Sequence, residues 1–169
     1  MANSIGPRDM VIHLGSEDET ANLARILAAA AAAGDVIGLA GNLGVGKTAF
    51  ARAFIRARTG ANEVPSPTFT LVQTYDPPDG DTAPAIWHLD LYRLEDPAEA
   101  GELGLDDALG RDIVLIEWPE RIDTDQFMDW LLVELRFASD PEAREAQLYA
   151  HGPRAQTLLG ALANPAPVR

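Results

Sequence analysis

At 169 residues and 47% hydrophobic, the chain can bury one domain-sized core, and its lack of cysteine excludes disulfides, thiolate zinc sites and cysteine nucleophiles. The formal net charge of −13 argues against gripping a nucleic acid with its own surface, because that binding needs clustered cations to displace counterions. Zero cysteines fit a cytoplasmic protein, no apolar run reaches the roughly 18 residues of a membrane span, and Met1-Ala2-Asn3-Ser4-Ile5-Gly6-Pro7 lacks the cationic-then-apolar order of a signal peptide.

Val11-Ile12-His13-Leu14 reads as a short strand. Ser16 follows as an N-cap with Glu19 three residues on, the spacing of a capping box. An Ala-rich helix is predicted over 17–33, with Leu23, Ile26 and Leu27 on one face and Gly34 placed to stop it. Val36-Ile37-Gly38-Leu39-Ala40 is a continuous apolar run suited to a buried parallel strand.

The next eight residues carry the chemistry. Gly41-Asn42-Leu43-Gly44-Val45-Gly46-Lys47-Thr48 fits G-x-x-x-x-G-K-[ST] in full. Lys47 is the only lysine of the chain; every other cation among its thirteen Lys and Arg is arginine. In such a loop backbone N–H groups cradle phosphates, the ammonium reaches the β/γ-oxygens and the Thr hydroxyl binds Mg²⁺. The planar fork of arginine does not replace a compact ammonium there. Thr48 to Arg56 continues as a helix with Phe50 and Phe54 on one face, so strand, loop and helix stand in the required order. The helix N-terminus itself favours an anion.

Thr59-Gly60 ends that helix. Glu63-Val64-Pro65-Ser66-Pro67-Thr68-Phe69 is not helical, because its two prolines restrict the backbone. Thr70 to Tyr75 and Ala85 to Asp90 read as two strands of a hairpin around the turn Asp76-Pro77-Pro78-Asp79-Gly80-Asp81. Asp96-Pro97 opens a short helix, and residues 103–109 carry another helical turn. Ile113-Val114-Leu115-Ile116-Glu117 is an apolar strand ending in a carboxylate. Leu131 to Phe137 and Gln147 to Ala150 are late strands joined near Asp140-Pro141, and a last helix is expected over 153–162. The fold class is therefore α/β: a P-loop NTPase-like, mostly parallel sheet flanked by helices, with one antiparallel hairpin. Residues 1–162 are expected to form one domain and 163–169 a flexible tail.

Two acids are candidates for the Mg²⁺-side carboxylate that a P-loop requires. Glu117 and Asp90 each end an apolar strand, which places them at the edge where open α/β sheets bind ligands. A solvent-facing strand-end acid is the plain alternative for both. Thr68 is either a switch threonine near the γ-phosphate or a simple strand-entry residue. Trp87, Trp118, Tyr92 and His88 read as ordinary core or surface. Arg52 and Arg56, four apart on the loop helix, are a solvated face or a docking patch.

Four segments together resemble the TsaE family, the small ATPase of bacterial tRNA threonylcarbamoyladenosine biosynthesis. They are the loop itself, Ser66-Pro67-Thr68-Phe69-Thr70-Leu71-Val72, His88-Leu89-Asp90-Leu91-Tyr92-Arg93 and Ile116-Glu117-Trp118-Pro119-Glu120-Arg121. The resemblance covers roughly residues 10–137. It implies Mg²⁺-dependent ATP hydrolysis in complex with TsaD and TsaB, which attach threonylcarbamoyl to adenosine 37 of tRNAs reading codons that begin with A. It makes Lys47 and Thr48 the phosphate and Mg²⁺ residues, Glu117 a Mg²⁺ ligand and Asp90 a water-orienting or second metal-side carboxylate. Thr68 becomes the switch threonine, and Glu17 and Arg144 supply adenine contacts. tRNA is then met through the complex, and no membrane is involved.

Two other readings are a small-molecule kinase, with Asp90 as its base, and a nucleotide-gated binding module. A guanine-reading N-K-x-D segment is impossible, because the only lysine is in the loop.

Overall fold

The computed structural model describes residues 9–67, 69–78 and 80–165, Asp81 by its backbone alone. Thr68, Asp79 in the hairpin turn, the first eight residues and the last four lie outside the described residues. Seven strands form one sheet: β1 (Met10–Leu14), β2 (Val36–Gly41), β3 (Val72–Tyr75), β4 (Ile86–Asp90), β5 (Ile113–Glu117), β6 (Trp130–Phe137) and β7 (Arg144–His151). Their order is β1-β7-β6-β2-β5-β4-β3. The central strands β6, β2, β5 and β4 run parallel, and antiparallel strands close both edges. The apolar runs of β2 and β5 sit mid-sheet, as continuous hydrophobicity requires of strands covered on both faces.

One face is covered by α1 (Glu17–Ala30), α2 (Lys47–Thr59) and α5 (Pro153–Ala163). Leu23 and Leu27 of α1, Phe50 and Phe54 of α2 and Leu158 of α5 are buried there against Ile37, Leu115 and Val133. Both phenylalanines are fully buried, and each contributes about 1.5–3 kcal/mol of transfer free energy toward fixing α2 on the sheet. The other face carries the short α3 (Glu99–Glu102) and α4 (Leu105–Ala108) with Leu91, Leu94, Phe127 and Trp130. Among the described residues no helix is long and apolar enough to cross a membrane.

Several boundaries differ from the sequence reading. Helix α1 ends at Ala30 rather than at 33, and Gly34 lies beyond it in a turn at φ 91°. Arginines replace the glycine stop: Arg58 donates to the carbonyls of Ala28 and Ala31, and Arg154 to that of Ala30. Asp35 takes the N–H of Ala32. Strand β3 starts at Val72 rather than Thr70, because Leu71 has φ 64° and breaks the extended run. The expected 103–109 turn shortens to Leu105–Ala108, with Gly104 at φ 83° before it. Strand β7 begins three residues earlier than expected and pairs with β6 along its length and with β1 from the far end of the chain.

The Ser16 cap forms as read: its Oγ accepts the N–H of Glu19 at 3.3 Å. The reciprocal half is displaced by one residue, since the Glu19 carboxylate accepts from the N–H of Gly15 at 2.6 Å.

Candidate active site

The loop between β2 and α2 has its shape enforced by two glycines. Gly41 sits at φ 132°, and a Cβ there would collide with the carbonyl oxygen of Leu135 on β6. Gly46, the N-cap of α2, sits at φ 119°. A side chain at either position would be strained, so this tight backbone is open only to glycine. Val45 between them is buried and anchors the loop in the core.

Lys47 is 5% exposed. Its Nζ donates to the carbonyls of Gly41 at 2.5 Å and Asn42 at 2.8 Å. It also lies 4.0 Å from the centroid of the Trp118 ring, a cation–π contact. Burial lowers its pKa from the usual lysine value, while the charges of Glu117, Glu120 and Asp90 pull it back up. The ammonium is thus held by loop carbonyls and a ring, partners that a phosphate oxygen can replace.

Across from it β4 and β5 bring two carboxylates side by side, because Asp90 and Glu117 are partners in the parallel register. Both are buried. The hydroxyl of Thr48 donates to Oε1 of Glu117 at 2.7 Å. The other oxygen, Oε2, accepts from Nε2 of His88 at 2.7 Å. A carboxylate only accepts, so Nε2 carries the ring proton in this pair. His88 and Asp90 are two apart on β4 and therefore share a face. One oxygen of Asp90 accepts the N–H of Tyr92 at 3.1 Å. Trp118 follows Glu117 directly at φ 62°, with its N–H bonded to the carbonyl of Leu39. That left-handed turn swings its ring over Lys47 and to 4.9 Å from the ring of Tyr92.

These groups line one open cavity of about 300 Å³, formed by Leu43, Gly44, Gly46, Lys47, Thr48, Ala49, Asp90, Tyr92, Arg93, Glu117 and Trp118. Of the residues singled out from sequence, the structure therefore joins Leu43, Gly44, Gly46, Lys47, Thr48, Asp90 and Glu117. Arg144 meets the loop without lining the cavity: its Nε donates to the Val45 carbonyl at 2.9 Å, and its guanidinium stacks 4.7 Å from the Phe137 ring. Glu17, at the exposed start of α1, lines a different and larger groove of about 1120 Å³ between α1 and α2. Arg52 and Arg56 line that groove too, and Arg52 is spent in part on the Val64 carbonyl. Thr68, expected from the sequence as a switch threonine, lies outside the described residues.

Sequence reasoning missed His88 and Arg93, and it read Tyr92 and Trp118 as ordinary core or surface although both line the cavity. A histidine inside an apolar strand gives no sign of the carboxylate it meets 29 residues on. Arg93, two residues beyond the strand-end Asp90, carried a readable signal: it leaves the sheet at the edge where the loop ends.

The residues present fit a Mg²⁺–nucleotide. Among the described residues no group of three or more His, Asp or Glu could hold an ion alone. Thr48 and Glu117 offer one hydroxyl and one carboxylate, hard oxygen donors of the kind Mg²⁺ takes together with phosphate oxygens.

A family model described as "Threonylcarbamoyl adenosine biosynthesis protein TsaE" matches residues 14–146. The tRNA threonylcarbamoyladenosine biosynthesis protein TsaE of Rickettsia bellii is 47% identical over 110 residues, 64% of this chain and 74% of that protein. The protein of the same name from Bacillus subtilis is 37% identical over 142 residues, 83% of this chain and 85% of that one. The crystal structure of Bacillus subtilis YdiB superposes with a TM-score of 0.74 at 30% identity, covering 91% of this chain and 93% of that chain.

Proposed function

The chain belongs to the TsaE family of threonylcarbamoyl adenosine biosynthesis proteins, and from that premise we propose that it is a Mg²⁺-dependent ATPase. In this reading it works with TsaD and TsaB in threonylcarbamoylation of adenosine 37 in tRNAs reading codons that begin with A. The transferase chemistry belongs to those partners; this subunit hydrolyses ATP to support or reset them. Its acidity, net −13, favours meeting tRNA only through the complex.

The observation that carries the reading is the contact of Thr48 with Glu117 at 2.7 Å, beside the chain's one lysine and in the same cavity. Thr48 and Glu117 would hold the Mg²⁺, which when bound offsets phosphate charge and orients the triphosphate. Lys47 exchanges the Gly41 and Asn42 carbonyls for β/γ-phosphate oxygens. Loop N–H groups and the α2 N-terminus add fixed positive dipoles. Asp90, beside Glu117, orients the attacking water. Thr68 is assigned as the switch threonine, and Arg144 holds the loop from outside as an adenine-side contact; Glu17 would meet the base from the start of α1.

The test uses γ-labelled ATP with Mg²⁺, the chain, and TsaD, TsaB and tRNA. Free labelled phosphate is expected, with no labelled small-molecule acceptor, and Lys47→Ala and Glu117→Ala should each remove most of it. Wild-type turnover in a Lys47→Ala preparation, or label on an acceptor, would overturn the assignment, the second in favour of a kinase.

A further inference from the structure

Arg93 stands exposed at the mouth of the cavity. We propose that Arg93 is a catalytic residue, an arginine supplied by the chain to its own nucleotide that meets the phosphate oxygens as charge builds on them. This rests on the ATPase reading above.

Position comes first. Arg93 sits between Leu91 and Leu94, which are 0% and 3% exposed. The Leu91 N–H is bonded to the Glu117 carbonyl and that of Leu94 to the Leu91 carbonyl. The backbone beneath Arg93 is therefore tied to the end of β5, where the Mg²⁺-side carboxylate stands. Among the described residues it is the only arginine lining the loop cavity.

Availability comes second. Arg111, Arg136 and Arg154 each rest on a carboxylate. Arg144 and Arg52 are spent on backbone carbonyls. Arg93 makes no ion pair among the described residues; its guanidinium lies 4.9 Å from the centroid of Phe69, a ring 84% exposed. A surface ring holds a guanidinium weakly, so little opposes its transfer to a phosphate.

Charge comes third. The cavity is lined by Lys47 and Arg93 against Asp90 and Glu117. Lys47 already grips the triphosphate before reaction, so only part of its attraction is reserved for the transition state. In hydrolysis a water oxygen bonds to the γ-phosphorus while the bond from that phosphorus to the β,γ-bridging oxygen breaks. The electron pair of the broken bond stays on the bridging oxygen, which leaves with ADP, and a water proton ends on the released phosphate. A guanidinium fork aimed at those oxygens binds them more tightly as their charge grows.

The experiment compares wild type, Arg93→Ala and Arg93→Lys, with and without TsaD and TsaB. It reads kcat and KM for ATP, affinity for ADP–Mg²⁺ with and without aluminium fluoride, and recovery by added guanidinium ion. For Arg93→Ala, kcat should fall on the order of 100-fold or more, with KM and ADP affinity within about twofold. The extra affinity conferred by aluminium fluoride should vanish, guanidinium should restore part of kcat, and Arg93→Lys should stay impaired. Turnover in Arg93→Ala equal to wild type overturns the proposal. So does equal loss of ADP and aluminium fluoride affinity, or, where the wild-type chain turns over alone, a defect confined to mixtures with the partners, which would make Arg93 a docking residue. A wild-type chain without turnover in any mixture refutes the ATPase reading itself, and the proposal with it.

Discussion

His88→Ala tests how the Glu117 carboxylate is held. His88 is fully buried, Glu117 is 1% exposed, and their contact is 2.7 Å. Removing the imidazole deletes a hydrogen bond to an ionised group, about 1.5–3 kcal/mol. It also opens a cavity beside β5, at a cost of about 2 kcal/mol. Together these come to about 3.5–5 kcal/mol. In a chain of this size each kcal/mol lowers Tm by about 2–4 °C, so the melting midpoint by circular dichroism should fall by roughly 7–20 °C. His88→Gln, which keeps an amide donor, should lose clearly less. With Oε2 released, the Glu117 carboxylate can turn away from Thr48, so the Mg²⁺ dependence of the proposed ATPase activity should shift by about 10–100-fold. A His88→Ala protein that melts with wild type and needs no more Mg²⁺ would refute the reasoning.

Other outcomes follow from the same contacts. Burial lowers the pKa of Lys47 in the fold, so just below the ordinary lysine value the unfolded chain binds more protons than the folded one. Stability from this group should therefore rise with pH across that alkaline window, and Lys47→Met should flatten the rise in denaturant midpoints; an unchanged slope would refute it. Arg154→Ala strands Asp35, whose side chain is 1% exposed, and leaves the Ala30 carbonyl uncapped. Because Arg154 itself is over a third exposed, the loss should be about 2–3 kcal/mol in urea melts rather than the full value for a buried pair.

The loop was legible because its chemistry is contiguous: glycines, lysine and threonine lie within eight residues, between an apolar run and a helix. Glu117 was legible because a lone acid ending an apolar strand has a defined place in an α/β sheet. Asp90 was legible for the same reason, and the register then set the two acids side by side. What stayed hidden depends on distant partners. The alanine run of α1 gives no reason to stop at Ala30; the stop comes from Arg58, Arg154 and Asp35. His88 looks like any strand histidine until β5 lies beside it. Strand pairing at the β1 edge joins residues more than a hundred positions apart, beyond any local pattern. Glu17, assigned to adenine by resemblance alone, stands in the groove between α1 and α2 rather than in the loop cavity.

The pairing of Met10 with Leu148 has a consequence for biosynthesis. Among the described residues the earliest-made strand pairs only with the last-made one, and the turn that launches β2 is clamped by Arg154. A nascent chain whose β7 and α5 are still inside the ribosome exit tunnel therefore lacks both the sheet's outer edge and that clamp. The β1 edge is thus the last part of the sheet to close during synthesis, and limited proteolysis of stalled nascent chains should cut there first.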